Sequence, residues 1–263
     1  MSPILQAEKI AALLQTSHYG RSLDVREVTK STNSDAEAAA RAGAVVGHVI
    51  IADHQEAGRG SHGRNWSSPA GTDIYLSIVD RPKLNVMQLP PLTLAVGMAV
   101  ADTVAEALPA ANNAVQVKWP NDVWVNKQKC AGILVETSSE GDRLNALVIG
   151  IGLNVNRLEF PDELDHPATS LRKQSGKEHE REVLVARLLG HVEHWVARFV
   201  EDGAAVIAQE LSGRLMWKGE NVECGGVAGC LLGVASNGAL ELMTSSGPKQ
   251  VISGRLRKVS NAQ

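Results

Sequence analysis

Gln55-Glu56-Ala57-Gly58-Arg59-Gly60-Ser61-His62-Gly63-Arg64-Asn65-Trp66 is the stretch on which the reading of this chain turns. Three glycines alternate with two arginines, a large aromatic closes the run, and an apolar segment, 45–52, leads into it. Glycine tolerates positive φ and lets a ligand approach the backbone closely. Arginine adds a forked cation that matches carboxylate or phosphate. The composition describes a flexible, positively charged loop able to fold over an anion. Three readings compete. Gly58-x-Gly60-x-x-Gly63 is a literal dinucleotide fingerprint, but that motif needs a helix starting inside it, and the turn-rich 65–71 that follows is a poor helix start. The loop also reads as an ordinary surface connection. The third reading, an anion clamp of another kind, depends on what stands downstream.

The 263 residues suit one large domain, or one large and one small. A formal net charge of −3 with 21% charged residues gives no global basic footprint for nucleic acid. Cys130, Cys224 and Cys230 form an odd, sparse set without a CxxC, which argues against a disulfide framework or a zinc ribbon. They read as reduced small hydrophobes. No apolar run reaches the ~20 residues of a membrane span. The first eight residues lack a basic segment followed by an apolar core, so a cytoplasmic location is the default.

Hydrophobic spacing predicts a short helix over 2–15, with Ser2 capping and Pro3 in the first turn. A strand at 25–28 delivers the chain to Ser31-Thr32-Asn33-Ser34-Asp35, then to an alanine-rich helix, 36–42. That polar run is either a helix cap or a site for a neutral polar ligand group. Strands are expected at 45–52 and 73–79, the second followed by the stop Leu89-Pro90-Pro91. Residues 92–108 form a helix apolar nearly all round, to be buried against a sheet. Segment 144–155 should pair with 133–136 across a turn at 138–142. Segment 160–179 is irregular, and 180–201 is an amphipathic helix. His191 and His194 lie three apart on it, but nothing suggests a third metal ligand. From Leu215 onward short strands alternate with glycine-rich turns, and Asn237-Gly238 signals a hairpin.

A second informative stretch is Lys118-Trp119-Pro120-Asn121-Asp122 between two short β-like runs. It reads as a tight hairpin with a surface lysine, or as a lysine and an aspartate presented together at a strand end. A lysine brings a point charge to phosphate or carboxylate, and an aspartate holds Mg²⁺ or orients the lysine. Lys129-Cys-Ala-Gly132-Ile133-Leu-Val-Glu136 follows at once, with small residues leading into an apolar strand.

Together these segments resemble biotin protein ligase. The resemblance runs through Ser31-Thr32-Asn33, the glycine–arginine loop to Trp66, Lys118 to Asp122, Lys129 to Glu136, and Gly150-x-Gly152-x-Asn154-Val-Asn156. It covers roughly 25–160. Members often carry further basic residues where this chain has Ser61 and His62. The fold so implied is α+β: a mixed, mostly antiparallel sheet with helices on one side, of the class II synthetase-like type. A catalytic domain over 1–212 and a small SH3-like β-barrel over 213–263 are expected.

The implied reaction has two steps. Biotin and MgATP give biotinyl-5′-adenylate and pyrophosphate, and a lysine of a biotin carboxyl carrier protein, such as that of acetyl-CoA carboxylase, then takes the biotin. Ser31, Thr32, Asn33, Gln55, Gly58, Arg59, Gly60, Lys118, Gly132 and Ile133 are the expected biotin site. Arg59, Arg64, Trp66, Lys118, Asn121, Lys129 and Asn154 are the expected nucleotide site. Arg59, Lys118, Lys129 and Asp122 are the expected catalytic group, because a carboxylate attacking a phosphate needs cations more than a base. Asp122 is expected to hold Mg²⁺ or to position Lys118. The loop is expected to be mobile without ligand and ordered with it. Lipoate–protein ligase is the enzyme alternative, and a biotin-responsive regulator without catalysis is the alternative of another class. With only about two dozen residues before Val25, too few for a winged helix, no DNA binding is expected; a homodimer is compatible with the resemblance.

Overall fold

A computed structural model describes residues 5–85, 88–140 and 143–259. Helix α1 (Ala7–Leu13) leads to strand β1 (Ser22–Thr29), helix α2 (Thr32–Arg41), strand β2 (His48–Gln55) and strand β3 (Ile74–Asp80). Helix α3 (Leu89–Ala107) is followed by strands β4 (Val115–Lys118), β5 (Asp122–Val125), β6 (Gln128–Glu140) and β7 (Arg143–Leu153). Helices α4 (Leu171–Ser175), α5 (Arg181–Asp202) and α6 (Ala204–Leu211) precede strands β8 (Asn221–Cys224), β9 (Val227–Val234), β10 (Leu240–Thr244), β11 (Gly247–Val251) and β12 (Arg257–Lys258).

Seven strands form one sheet in the order β1-β2-β3-β7-β6-β5-β4. Only β1 and β2 run parallel; every other neighbouring pair is antiparallel. Strand alternation divides its residues between two faces. Val49, Ile51, Ile74, Leu76, Ile78, Leu147, Ile149, Ile151 and Ile133 share one core with α3 and α5. The opposite face carries Ile50, Val79 and Val148, which pack under Ala36 of α2. The helices are therefore not confined to one side: α2 covers part of the face that also bears Ser77, Gly150 and Gly152.

Several boundaries differ from the sequence expectation, each for a local reason. Helix α2 starts at Thr32 rather than at residue 36, so the polar run is its first turn. Val45 and Val46 are exposed and precede the strand; Gly47, at φ 81°, turns the chain into β2, which extends to Gln55. Pro90 and Pro91 occupy the first turn of α3 instead of ending a strand, because proline needs no N–H there. The helix start expected at Ser2 and Pro3 lies outside the described residues, as do Gly141 and Asp142 of the expected turn. Helix α6 had no counterpart in the sequence reading.

Strands β8 to β12 make an antiparallel five-stranded sheet in the order β11-β10-β9-β8-β12, consistent with an SH3-like unit. Asn237-Gly238 is the predicted hairpin turn, with Gly238 at φ 82°. Leu231, Leu240, Leu242 and Leu256 belong to the same continuous core as the large sheet. Two further contacts fasten the sheets together: Met216 N–H donates to Val117 O at 3.0 Å, and Trp119 Nε1 donates to Gly238 O at 2.9 Å. Among the described residues no helix is long and apolar enough to cross a membrane.

Candidate active site

On the sheet face left open beside α2 lies a cavity of about 340 Å³. Small residues make room for it. Gly132 pairs with Gly152, and Leu134 with Gly150, across the β6–β7 ladder. A Cβ on Gly150 would sit 2.0 Å from Asn33 Oδ1, and one on Gly152 would sit 2.5 Å from Trp66 Cε2. One on Gly132 would approach Trp66 Cζ3 to 2.8 Å. These glycines let an amide and an indole lie flat on the sheet.

One part of the cavity wall is neutral and polar. Ser31 holds the N-cap position of α2, yet its hydroxyl makes no cap hydrogen bond. It is buried and lines the cavity, which favours the ligand-site alternative over capping. Thr32 and Asn33 come from the first helical turn. Gln55 Oε1 accepts from Thr32 N–H at 2.9 Å, and Gln55 Nε2 donates to Ser68 Oγ at 2.9 Å. Ser77 Oγ lies 2.8 Å from Thr32 Oγ1 and donates to Asn33 Oδ1 at 2.5 Å. Asn33 Nδ2 donates to Glu136 Oε2 at 2.8 Å. Ser77 escaped the sequence reading; its signal was a small aliphatic hydroxyl inside the otherwise apolar and aromatic run 74–79.

The cationic part is built by the loop and by β4 to β6. The loop closes on itself through Trp66 N–H to Gly58 O at 2.8 Å and Gly60 N–H to Arg64 O at 2.7 Å. His62 and Gly63 both take positive φ at its tip. Arg59 pairs with Glu136 at 2.7 Å, and Arg64 reaches Asp165 at 3.8 Å. Lys129 Nζ pairs with Asp122 Oδ1 at 2.7 Å and stands 5.2 Å from the Trp66 ring centroid. Lys118 is the cross-strand partner of Asp122 in the β4–β5 ladder. Its ammonium is buried, 5.0 Å from the Trp124 ring and 5.2 Å from that of Trp217. Burial brings the Lys118 pKa down to about 8; Asp122 opposes that shift, while Lys129, Arg255 and Arg64 reinforce it. Burial, with the Lys118 and Arg255 charges, also holds His166 at about 4, so its imidazole is neutral at pH 7.

Most expected site residues line this one cavity: Ser31, Thr32, Asn33, Gln55, Arg59, Gly60, Arg64, Trp66, Asn121, Asp122, Lys129, Gly132, Ile133 and Asn154. Ile133 does so by its backbone, because alternation turns its side chain into the helix-side core; Leu134 faces the cavity instead. Asn121 and Asn154 brace the wall, donating to Ile133 O at 2.7 Å and Thr169 O at 2.9 Å. Gly58 and Lys118 are not in the lining. Gly58 supports the loop base, where a Cβ would meet Trp66 O at 2.5 Å. Lys118 stands behind Asp122. Arg157 and Phe160 also line the cavity and were not foreseen, nor was His166, because they sit in or beside segment 160–179, which the sequence shows only as irregular. Arg157 pairs with buried Asp73 at 2.6 Å and donates to Ser67 O at 2.7 Å, anchoring the segment that follows the loop.

The described residues hold no group of three or more His, Cys, Asp or Glu side chains placed to share an ion. Asp122 pairs with Lys129, whereas the sequence reading expected it to hold Mg²⁺ or to position Lys118, its neighbour across the β4–β5 ladder.

Over 261 residues the chain is 33% identical to the bifunctional ligase/repressor BirA of Bacillus subtilis, covering 95% of this chain and 78% of that one. The chain belongs to the biotin/lipoate A/B protein ligase family. The family model itself matches residues 25–154, the span that carries all of the expected lining residues, while Arg157, Phe160 and His166 lie beyond it. The biotin–[acetyl-CoA-carboxylase] ligase of Paracoccus denitrificans is 34% identical over 233 residues, covering 85% of this chain and 95% of that one. Among solved structures of the family, the biotin protein ligase from Aquifex aeolicus in complex with biotin and ATP superposes with a TM-score of 0.79 at 29% identity, over 91% of this chain and 100% of that one.

Proposed function

We propose that this protein is a biotin–protein ligase. It forms biotinyl-5′-adenylate and pyrophosphate from biotin and ATP, then transfers biotin to a lysine of a biotin carboxyl carrier protein. The observation that carries this reading is the cavity itself, which unites a neutral hydrogen-bonding wall, an apolar wall and a cluster of cations. Ser31, Thr32, Asn33 and Gln55 suit a neutral ureido group, and Leu134 with the glycine-lined sheet suits an apolar ring and chain. Arg59, Arg64 and Lys129 surround the place where two anions must meet, with Lys118 behind them. Their charges lower the repulsion between the carboxylate and the α-phosphate and stabilise the charge that develops. Trp66 offers its ring beside the nucleotide. Mg²⁺ arrives on the phosphates of ATP and neutralises part of their charge.

Transfer to the carrier needs little further catalysis. The mixed anhydride is already activated, so the chain's task is to hold it and to admit one lysine in line. The loop and segment 158–168 border the cavity and keep water from the anhydride.

Exchange of radiolabelled pyrophosphate into ATP tests the first step. Exchange that depends on biotin and is not elicited by lipoate supports the reading. Exchange with lipoate alone would overturn the substrate, and no exchange in a folded sample with Mg²⁺ would overturn the activity. Streptavidin blotting of a carrier domain after incubation tests the second step.

A further inference from the structure

Trp217 is the one described residue outside the cavity that combines an unusual backbone with contact to a proposed catalytic cation. It stands at φ 65°, a left-handed conformation uncommon for a bulky side chain. Hydrogen bonds on both sides hold the chain there. Met216 N–H binds Val117 O on β4, and Gly219 N–H binds Leu231 O on β9 at 2.7 Å. Backbone in such a region persists where its surroundings over-determine it, and such positions gather at functional sites. The outcome here is specific: the indole leaves the C-terminal segment and faces Lys118 beside Trp124, the two rings tilted by 59° with centroids 6.4 Å apart, so that they form a corner against the ammonium.

A buried ammonium needs compensation for lost water. Two aromatic faces supply it without competing for the charge, as a carboxylate would. The charged and titratable groups about Lys118 are Asp122 and Lys129 on β5 and β6, Arg64 from the loop, Cys224 on β8, Arg255 between β11 and β12, and His166. Asp122 is engaged by Lys129, so the rings are the partners left to fix where the Lys118 charge sits.

We propose that Trp217 is a positioning residue for adenylation: with Trp124 it cages the Lys118 ammonium and holds it behind Asp122, so the C-terminal sheet helps to assemble the site. This rests on the ligase reading above. The cage links the two sheets in chemistry as well as in packing. It acts on the first reaction step and leaves the neutral wall, built by α2 and Gln55 of β2, untouched.

The test compares Trp217→Leu, which keeps apolar bulk but removes the ring face, with Trp217→Phe, which keeps a ring. In biotin-dependent pyrophosphate exchange, Trp217→Leu should lower kcat by at least about tenfold with KM for biotin within about twofold, and Trp217→Phe should recover most of the rate. In a Lys118→Ala background, Trp217→Leu should cost nothing further, since the two act as a unit. Wild-type kcat in the Leu variant, a Phe variant as slow as Leu, or full additivity with Lys118→Ala would overturn the inference. Should the Leu variant fail to fold, Trp217→Phe decides alone: a rate at or above about a third of wild type is expected, and a loss equal to that of Lys118→Ala would overturn it. Absence of exchange in the wild type would instead refute the ligase reading.

Discussion

Lys118 shows how burial and charge set the chemistry of one side chain. Its pKa of about 8 means that it is charged at neutral pH and loses its proton through the alkaline range. Adenylation needs the cation, so kcat should fall as pH rises through about 8; a rate flat from pH 7 to 10 would contradict this. Lys118→Ala should lower kcat for adenylation by about 100-fold and leave biotin affinity within about threefold. A large loss of biotin binding with normal turnover at saturation would reverse that assignment. Gly150 is the matching case on the neutral wall. Its replacement by alanine drives a methyl into Asn33 Oδ1 and so disrupts the Asn33–Ser77 pair. Calorimetry should find biotin binding weakened about tenfold or more, with stability lowered by about 1–3 kcal/mol. The residue types of both places were legible in the chain, because glycine, lysine and polar runs announce themselves. That Gly150 lies under Asn33, and not merely beside a ligand, was not legible, since the two belong to distant segments.

At the scale of elements, the glycine–arginine loop is held by contacts that a ligand can replace. Arg59 and Arg64 reach Glu136 and Asp165, half-exposed carboxylates with which an incoming carboxylate or phosphate competes. Amide hydrogen exchange from Gly58 to Arg64 should slow when biotin and ATP are added together; unchanged exchange would refute a closing loop. The base of the loop is a different case. Arg157 and Asp73 form an ion pair with both side chains almost fully buried, and Asp73 Oδ1 also accepts from Val155 N–H at 2.9 Å. Arg157→Ala leaves that carboxylate buried without its partner, and urea denaturation should record a loss of about 3–5 kcal/mol. Elements with strong periodicity, α3, α5 and the β6–β7 pair, were legible in the sequence. The start of α2 was not, because its first turn carries the same polar residues that a cap or a ligand site would use.

The molecule as a whole is unified by one apolar core that runs from Ile10 through the large sheet to Leu256. Trp119 and Trp217 add polar and aromatic links between the two sheets. Thermal unfolding followed by far-ultraviolet dichroism and by tryptophan fluorescence should therefore give coincident transitions; two separated transitions would show that the C-terminal sheet melts by itself. Alternation, helical spacing and turn chemistry are properties of neighbours in the chain, and so the sequence by itself determined the sheet strands, the long helices, the C-terminal hairpin, the family and nearly all the residue types of the cavity. Only the tertiary structure decided that α2 covers the second sheet face, that Ser77 braces Thr32 and Asn33 from behind the neutral wall, that Leu134 rather than the Ile133 side chain faces the cavity, and that Trp217 meets Lys118. Those contacts join residues many positions apart or depend on strand register, and packing, rather than local propensity, selects which of them form.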